Sequence, residues 1–175
     1  MKNMIIWLWI ATALTMTGCA GNTRYVHVGP SWAALNDMKT SERTFRVWVW
    51  GPDRADLGDR IDFEVQSEQS GRLWVVQVDP HDELTVLWPN DKVKDNRIEA
   101  QTRVHIPPQG ADWSIVAGEP AGQSVVAFIV TRGDVDLADV LPQDDGMAKA
   151  LSLVSETPNW GLIKRVIDVK GKVGK

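Results

Sequence analysis

From Thr44 onward, apolar and polar residues are organised in short runs with a period of two. The runs are TFRVWVW (44–50), RIDFEVQS (60–67), RLWVVQVD (72–79), ELTVLW (83–88), RVHIP (103–107), WSIVA (113–117) and SVVAFIVT (124–131). They are rich in β-branched and aromatic side chains, which suit a pleated, half-buried surface. Between them lie turn-forming segments: GPDRADLGD, EQSG, DPHD, PNDKVKDN, PPQGAD and GEPAGQ. Seven short strands at even spacing predict an antiparallel sandwich or barrel, because parallel βαβ units need helical crossovers. Ile61, Phe63 and Val65 alternate with Asp62, Glu64 and Gln66, so that strand has one wet face. SVVAFIVT is apolar at both parities, which predicts a central strand covered on both sides. LIKRVIDV (162–169) returns to the sheet as a last strand.

Two segments carry a helical period instead. SWAALNDMK (31–39) spaces Trp32, Leu35 and Met38 along one face behind Ser31, a candidate N-cap. DDGMAKALSLVSE (144–156) sets Met147, Leu151 and Val154 on one face behind Asp144 or Asp145. The predicted fold is mainly β: an antiparallel immunoglobulin-like β-sandwich with one or two short flanking helices. It forms one domain over residues 31–170, with a solvated tail at 171–175.

The N-terminus carries a different kind of signal. Lys2 precedes the uncharged run MIIWLWIATALTM (4–16), which is shorter than the roughly 20 apolar residues a spanning helix needs. It suits the core of a signal peptide. MTGC follows, ending in Cys19, the one cysteine of the sequence. This arrangement resembles the lipobox of bacterial lipoproteins, with Met16 where leucine is commoner. The resemblance implies cleavage between Gly18 and Cys19, a thioether-linked lipid on Cys19, and acylation (palmitate) of the new N-terminus. Ala20, rather than aspartate, follows the cysteine, which implies sorting to the outer membrane. Residues 1–18 are then signal peptide and 19–30 a lipidated tether, with a short strand expected at RYVHV (24–28).

Removal of 18 residues from 175 leaves 157, enough for one domain with a substantial core. Losing Lys2 leaves 18 basic against 23 acidic residues, a net charge of about −5. Such mild acidity argues against nucleic acid as a partner, since that demands a basic patch.

The middle of the chain resembles the bacterial domain-of-unknown-function 4384 family over about residues 45–132. The matching positions are Gly58, Asp59, Gly71, Trp74, Asp79, Trp88, Pro89, Asn90, Asn96, Ile106, Pro107, Pro120 and Gly122. Trp88 replaces the commoner phenylalanine, and Ala100-Gln101 occupies a place that often carries glycine. The resemblance implies an envelope-facing β-sandwich, often lipid-anchored, and supplies no catalytic residues. Gly58, Asp59, Trp88, Pro89, Asn90, Asn96 and Pro107 are expected to serve the fold.

Candidate chemistry is sparse. LWPNDKVKDNRI (87–98) gathers Asn90, Asp91, Asp95 and Asn96, but without the alternating rhythm of a linear calcium loop, and Lys92, Lys94 and Arg97 interrupt them. GDVDLAD (133–139) spaces Asp134 and Asp136 better, yet Ala138 and Asp139 break the pattern. No metal site and no cofactor are expected. His27, His81 and His105 are scattered, and neither GPSWA nor GQSVV completes a nucleophile elbow. An enzyme is therefore not expected, although a carboxylate pair drawn from distant strands would leave no local signature. Tryptophan is the stronger lead, with nine in the sequence and seven after signal removal. In FRVWVW, Phe45, Val47 and Val49 share one face, while Arg46, Trp48 and Trp50 share the other. Either the helix bearing Trp32 covers Trp48 and Trp50, or they form an outward aromatic platform. The favoured function is a lipid-anchored, periplasm-facing interaction module, an accessory subunit engaging an envelope or secretion partner. The alternative is a glycan-binding (peptidoglycan) module using the exposed tryptophans, followed by an unrecognised hydrolase.

Overall fold

The computed structural model describes residues 29–37, 43–133, 135–138, 140–141, 146–156 and 159–171. The expected signal peptide, Cys19, the strand expected at RYVHV, Met38, Asp134, Asp139, the candidate caps Asp144 and Asp145, and the tail beyond 171 lie outside these residues.

In chain order the elements are α1 (Pro30–Asp37), β1 (Val47–Trp50), β2 (Arg54–Asp56), β3 (Arg60–Ile61), β4 (Phe63–Ser67), β5 (Gly71–Val78), β6 (Leu84–Trp88), β7 (Arg97–Ile98), β8 (Arg103–Ile106), β9 (Ile115–Val116), β10 (Gly122–Thr131), α2 (Gly146–Glu156) and β11 (Trp160–Lys170). A three-stranded sheet, β1-β4-β8, faces a six-stranded sheet ordered β2-β11-β10-β5-β6, with β7 also pairing β5. The fold is mainly β and antiparallel, sandwich-like rather than a closed barrel, with two helices.

The run expected at 60–67 divides at Asp62. Its first part, β3, pairs with β9, whereas β4 lies between β1 and β8. GPDRADLGD, read as a turn, contains β2, which pairs in parallel with the end of β11. Arg54-Ala55-Asp56 offers a single inward residue, too short a pattern for periodicity to detect.

Two apolar cores lie on opposite faces of the large sheet. Val126, Phe128 and Val130 of β10 join Leu73, Val75, Phe63 and Val65 between the sheets. Val125, Ala127 and Ile129 join Trp74, Val76, Leu35, Met147, Leu151 and Val154 beneath the helices. β10 is thus central and covered on both faces, as its unbroken apolar run requires. Phe63 and Phe128 meet edge to face across the first core, with ring centroids 5.1 Å apart.

Helix α1 corrects the expected cap. Ser31 lies inside the helix, and Pro30 takes its first position, where a missing N–H is harmless. The capping carboxylate comes from Asp82 in the β5–β6 turn, which accepts the Ser31 N–H at 3.0 Å and the Trp32 N–H at 2.7 Å. At the other end, Lys164 Nζ donates to the Leu35 and Asn36 carbonyls at 2.9 and 2.6 Å. Burial pulls the Lys164 ammonium below its ordinary pKa, with Asp37 opposing the shift. An acid at the N-terminus and a cation at the C-terminus both suit the helix dipole. Asp82→Ala is expected to cost about 1–2 kcal/mol, the range for a lost cap, with Asp82→Asn losing less. Urea denaturation of the two variants checks this: equal losses would show that the cap depends on the carboxylate charge, and an unchanged Asp82→Asn variant that the charge is not involved.

Candidate functional site

The segment LWPNDKVKDNRI is one edge strand interrupted by an excursion. β6 pairs with β5 at Val75–Val78, and β7 pairs with the same side of β5 at Gly71 and Arg72. Between them, the Leu73 N–H donates to the Asn96 carbonyl at 2.8 Å. The strand therefore leaves the sheet after Trp88 and rejoins it at Asn96.

Side chains of the excursion hold its own backbone. Asn90 Oδ1 accepts the Lys92 and Val93 N–H groups at 2.9 and 3.0 Å, and its Nδ2 donates to the Leu87 carbonyl. Lys94 donates to Asp91 at 2.8 Å, and that hydrogen bond holds the Asp91 carboxyl below its ordinary range. Side-chain and backbone hydrogen bonds from Arg97 do the same for Asp95. The carboxylates of this loop are thus spent on neighbouring cations, and Asn96 is buried. Asp136, in the second acidic stretch, pairs with Arg72 at 2.6 Å. Among the described residues, no three His, Cys, Asp or Glu side chains gather as metal ligands. No helix among them is long and apolar enough to cross a membrane.

The outer face of the three-stranded sheet is built differently. Phe45, Val47 and Val49 point into the core, which turns Trp48 and Trp50 outward. Register places Trp48 beside Gln66 and Trp50 beside Glu64, with Arg103 and His105 next in each row. The Arg103 guanidinium lies 4.4 Å from the Trp50 ring centroid and its Nη1 is 2.9 Å from Glu64. His105 lies 3.8 Å from the other Glu64 oxygen. Trp50 remains 40% exposed. Trp32 packs into the helix-side core instead, on the far side of the large sheet, so its helix does not cover the pair. Arg46 is also exposed, and its backbone N–H donates to Glu68 at 2.9 Å. Beside Trp50 opens a cleft of about 490 Å³ that reaches His105, Pro107 and Trp113.

Residues 55–134 match the family model described as Domain of unknown function (DUF4384). This stretch is a DUF4384 domain. The match begins ten residues later than the resemblance in the sequence suggested, so Arg46, Trp48 and Trp50 precede it, while Glu64, Arg103 and His105 lie within it. No curated protein matches the chain.

Inside the DUF4384 domain, the residues on which the sequence resemblance was drawn sit at backbone turns and buried seams. Gly58 has φ of 93°, a left-handed value that disfavours side chains, and its N–H donates to the Ala117 carbonyl. Asp59 Oδ2 accepts the Asp56 N–H at 2.9 Å and closes the same turn. A Cβ on Gly71 would stand 2.4 Å from the Thr131 carbonyl oxygen, inside the β5–β10 ladder. Asp79 accepts the His81 and Glu83 N–H groups at 2.8 Å each. Trp88 is buried between the sheets, and Pro89 follows where pairing stops. Pro107 follows β8 and lines the cleft beside Trp50.

Gln101, the second residue of the Ala100-Gln101 pair, is also left-handed, with φ of 60°. Its side chain and carbonyl hold Gln66 through exposed hydrogen bonds, which are weak in water. Gln101→Gly is expected to raise stability by about 0.5–1 kcal/mol by removing the left-handed penalty. The urea midpoint measures it, and a lower midpoint would show that the Gln66 bonds dominate.

Proposed function

We propose that this protein is a lipid-anchored interaction module of the cell envelope. Cys19 ties it to the outer membrane, the domain faces the periplasm, and it serves as an accessory subunit of an envelope or secretion assembly. It acts by docking a protein partner on the outer face of the three-stranded sheet rather than by catalysis. One observation carries the reading: Trp50, 40% exposed, is held under the Arg103 guanidinium on the outer face of the three-stranded sheet. Tryptophan and arginine dominate binding energy at protein interfaces, because a large ring and a planar cation lose little entropy on docking. Glu64 fixes Arg103 from the neighbouring strand, so the stack is organised before a partner arrives. The lipobox-like sequence at Cys19 supports the anchor.

The test is photo-crosslinking in intact cells from a probe at position 66, between Trp48 and Arg103 in the register. One discrete adduct is expected, carried in the membrane fraction. Cys19→Ser is expected to move the protein to the soluble periplasm. Absence of any adduct at position 66 overturns the docking face, and a membrane-bound Cys19→Ser variant overturns the anchor.

A further inference from the structure

A second cleft, of about 430 Å³, lies on the core-side face of the large sheet beyond the end of the covering sheet. Both clefts fall in the size range of ligand sites. They share Trp113 and Ser114, so the two meet at one wall. Ser114 and half-buried Trp113 immediately precede β9, whose pairing with β3 fixes the segment in place.

The floor of the second cleft crosses β11, β10, β5 and β6 through Ile167, Ser124, Gln77 and Thr85. Three interstrand spacings make this crossing roughly 14 Å long. Gln77 Nε2 donates to Ser124 Oγ at 3.2 Å, which orients amide and hydroxyl together on the floor. An occupant lying across the strands meets the side chains of the floor, with the outer backbone edge of β6 at one end of the crossing. A peptide added as a strand would run along that edge and leave Ser124 and Ile167 uncovered. The wall is closed to it, because Ala117 exchanges backbone hydrogen bonds with Gly58 and Asp59.

Charge narrows the ligand further. Asp79, Glu83 and Glu119 line the second cleft without any Lys or Arg, and in the first cleft Arg60 and His105 stand beside Asp62 and Glu64. An anionic ligand is therefore repelled. Asp79 and Glu119 accept nearby backbone N–H groups, which leaves Glu83 the more available acid. What fits is a neutral, linear, hydroxyl-rich polymer that sets apolar ring faces on tryptophan and offers hydroxyls to fixed amide, hydroxyl and carboxylate groups.

We infer that the two clefts form one binding groove for a neutral linear glycan, with Trp113 and Ser114 at its midpoint. This goes beyond the docking of a protein on the outer face. The two adjoin at Trp50 and Glu64, which line the first cleft as well as the docking face. Trp113, Gln77 and Glu83 belong to the groove alone, off the row formed by Trp48, Gln66 and Arg103, and so test it separately.

The experiment is calorimetric titration of the detergent-solubilised full chain with β-1,4-linked N-acetylglucosamine oligomers of two to six units. Affinity is expected to rise with oligomer length. Trp113→Phe should weaken binding several-fold and Trp113→Ala tenfold or more. Should Trp113→Ala fail to fold, Gln77→Ala and Glu83→Gln carry the same expectation of several-fold weakening, with Val166→Ala as an unchanged control. The proposal is overturned if no oligomer binds, if affinity is independent of length, or if Gln77→Ala and Glu83→Gln bind like the parent. Displacement of the longest oligomer by tetralysine at lower concentration would overturn it in favour of a cationic peptide.

Discussion

Phe128→Ala lowers stability by about 3–5 kcal/mol, the cost of emptying an aromatic site in a close-packed core. The side chain is fully buried on the central strand β10 and meets Phe63 of the opposing sheet edge to face. Its removal therefore subtracts burial and also the ring pair that joins the two sheets. For a domain of this size, the melting temperature is expected to fall by about 10 °C or more. Phe128→Leu should recover a large part of the loss, because it refills volume without restoring the ring pair. Val166→Ala, on the edge-side strand with 43% exposure, is the control and should stay within about 0.5 kcal/mol. Calorimetry decides the matter: equal melting temperatures for Phe128→Ala and Val166→Ala would show that the sheets are joined elsewhere.

Trp50→Ala is the largest expected functional effect. If the outer face docks a partner, losing a central tryptophan costs at least about 2 kcal/mol of binding, roughly a thirtyfold loss of affinity. The adduct formed from position 66 should then nearly vanish. Folding should suffer little, because the ring is 40% exposed and outside the core. Arg103→Lys keeps the charge but loses the planar stack, so it should reduce the adduct less than Trp50→Ala does. In the double variant the two losses should be less than additive, because each removes the same stack. Full additivity would show that Trp50 and Arg103 act separately. An adduct undiminished by Trp50→Ala would remove the ring from the interface.

Much of this architecture was legible from periodicity. Alternation placed Ile61, Phe63 and Val65 inward, and the doubled apolar character of SVVAFIVT announced a strand with two covers. Both are direct consequences of side chains pointing to opposite faces of a strand. What escaped were features set by tertiary partners. β2 and β7 are two or three residues long and exist because β11 and β5 offer them backbone groups. The cap of α1 comes from Asp82, distant in sequence by about fifty positions, so no local pattern could reveal it. On the outer face, sequence grouped Arg46, Trp48 and Trp50 within one strand. Glu64, Arg103 and His105 join them only through register across β4 and β8. Trp113 gave no signal either, since its importance arises from standing between two clefts. PNDKVKDN reads in the sequence as a turn rather than a metal loop, but the return of the chain to the same side of β5 is a fact of pairing alone.

The division of the interior into two cores has a consequence for how amides exchange with solvent. Each face of the large sheet is sealed by a different layer, one of strands and one of helices. The helical layer is held by α1, α2 and the Asp82 and Lys164 bonds, so it can open while the sheets stay paired. Amides of α1 and α2 should then exchange through a smaller opening than those of β10. Hydrogen exchange along β10 tracks global unfolding, because either layer alone still shelters its hydrogen bonds. β10 is thereby the last segment of the molecule to surrender its protons.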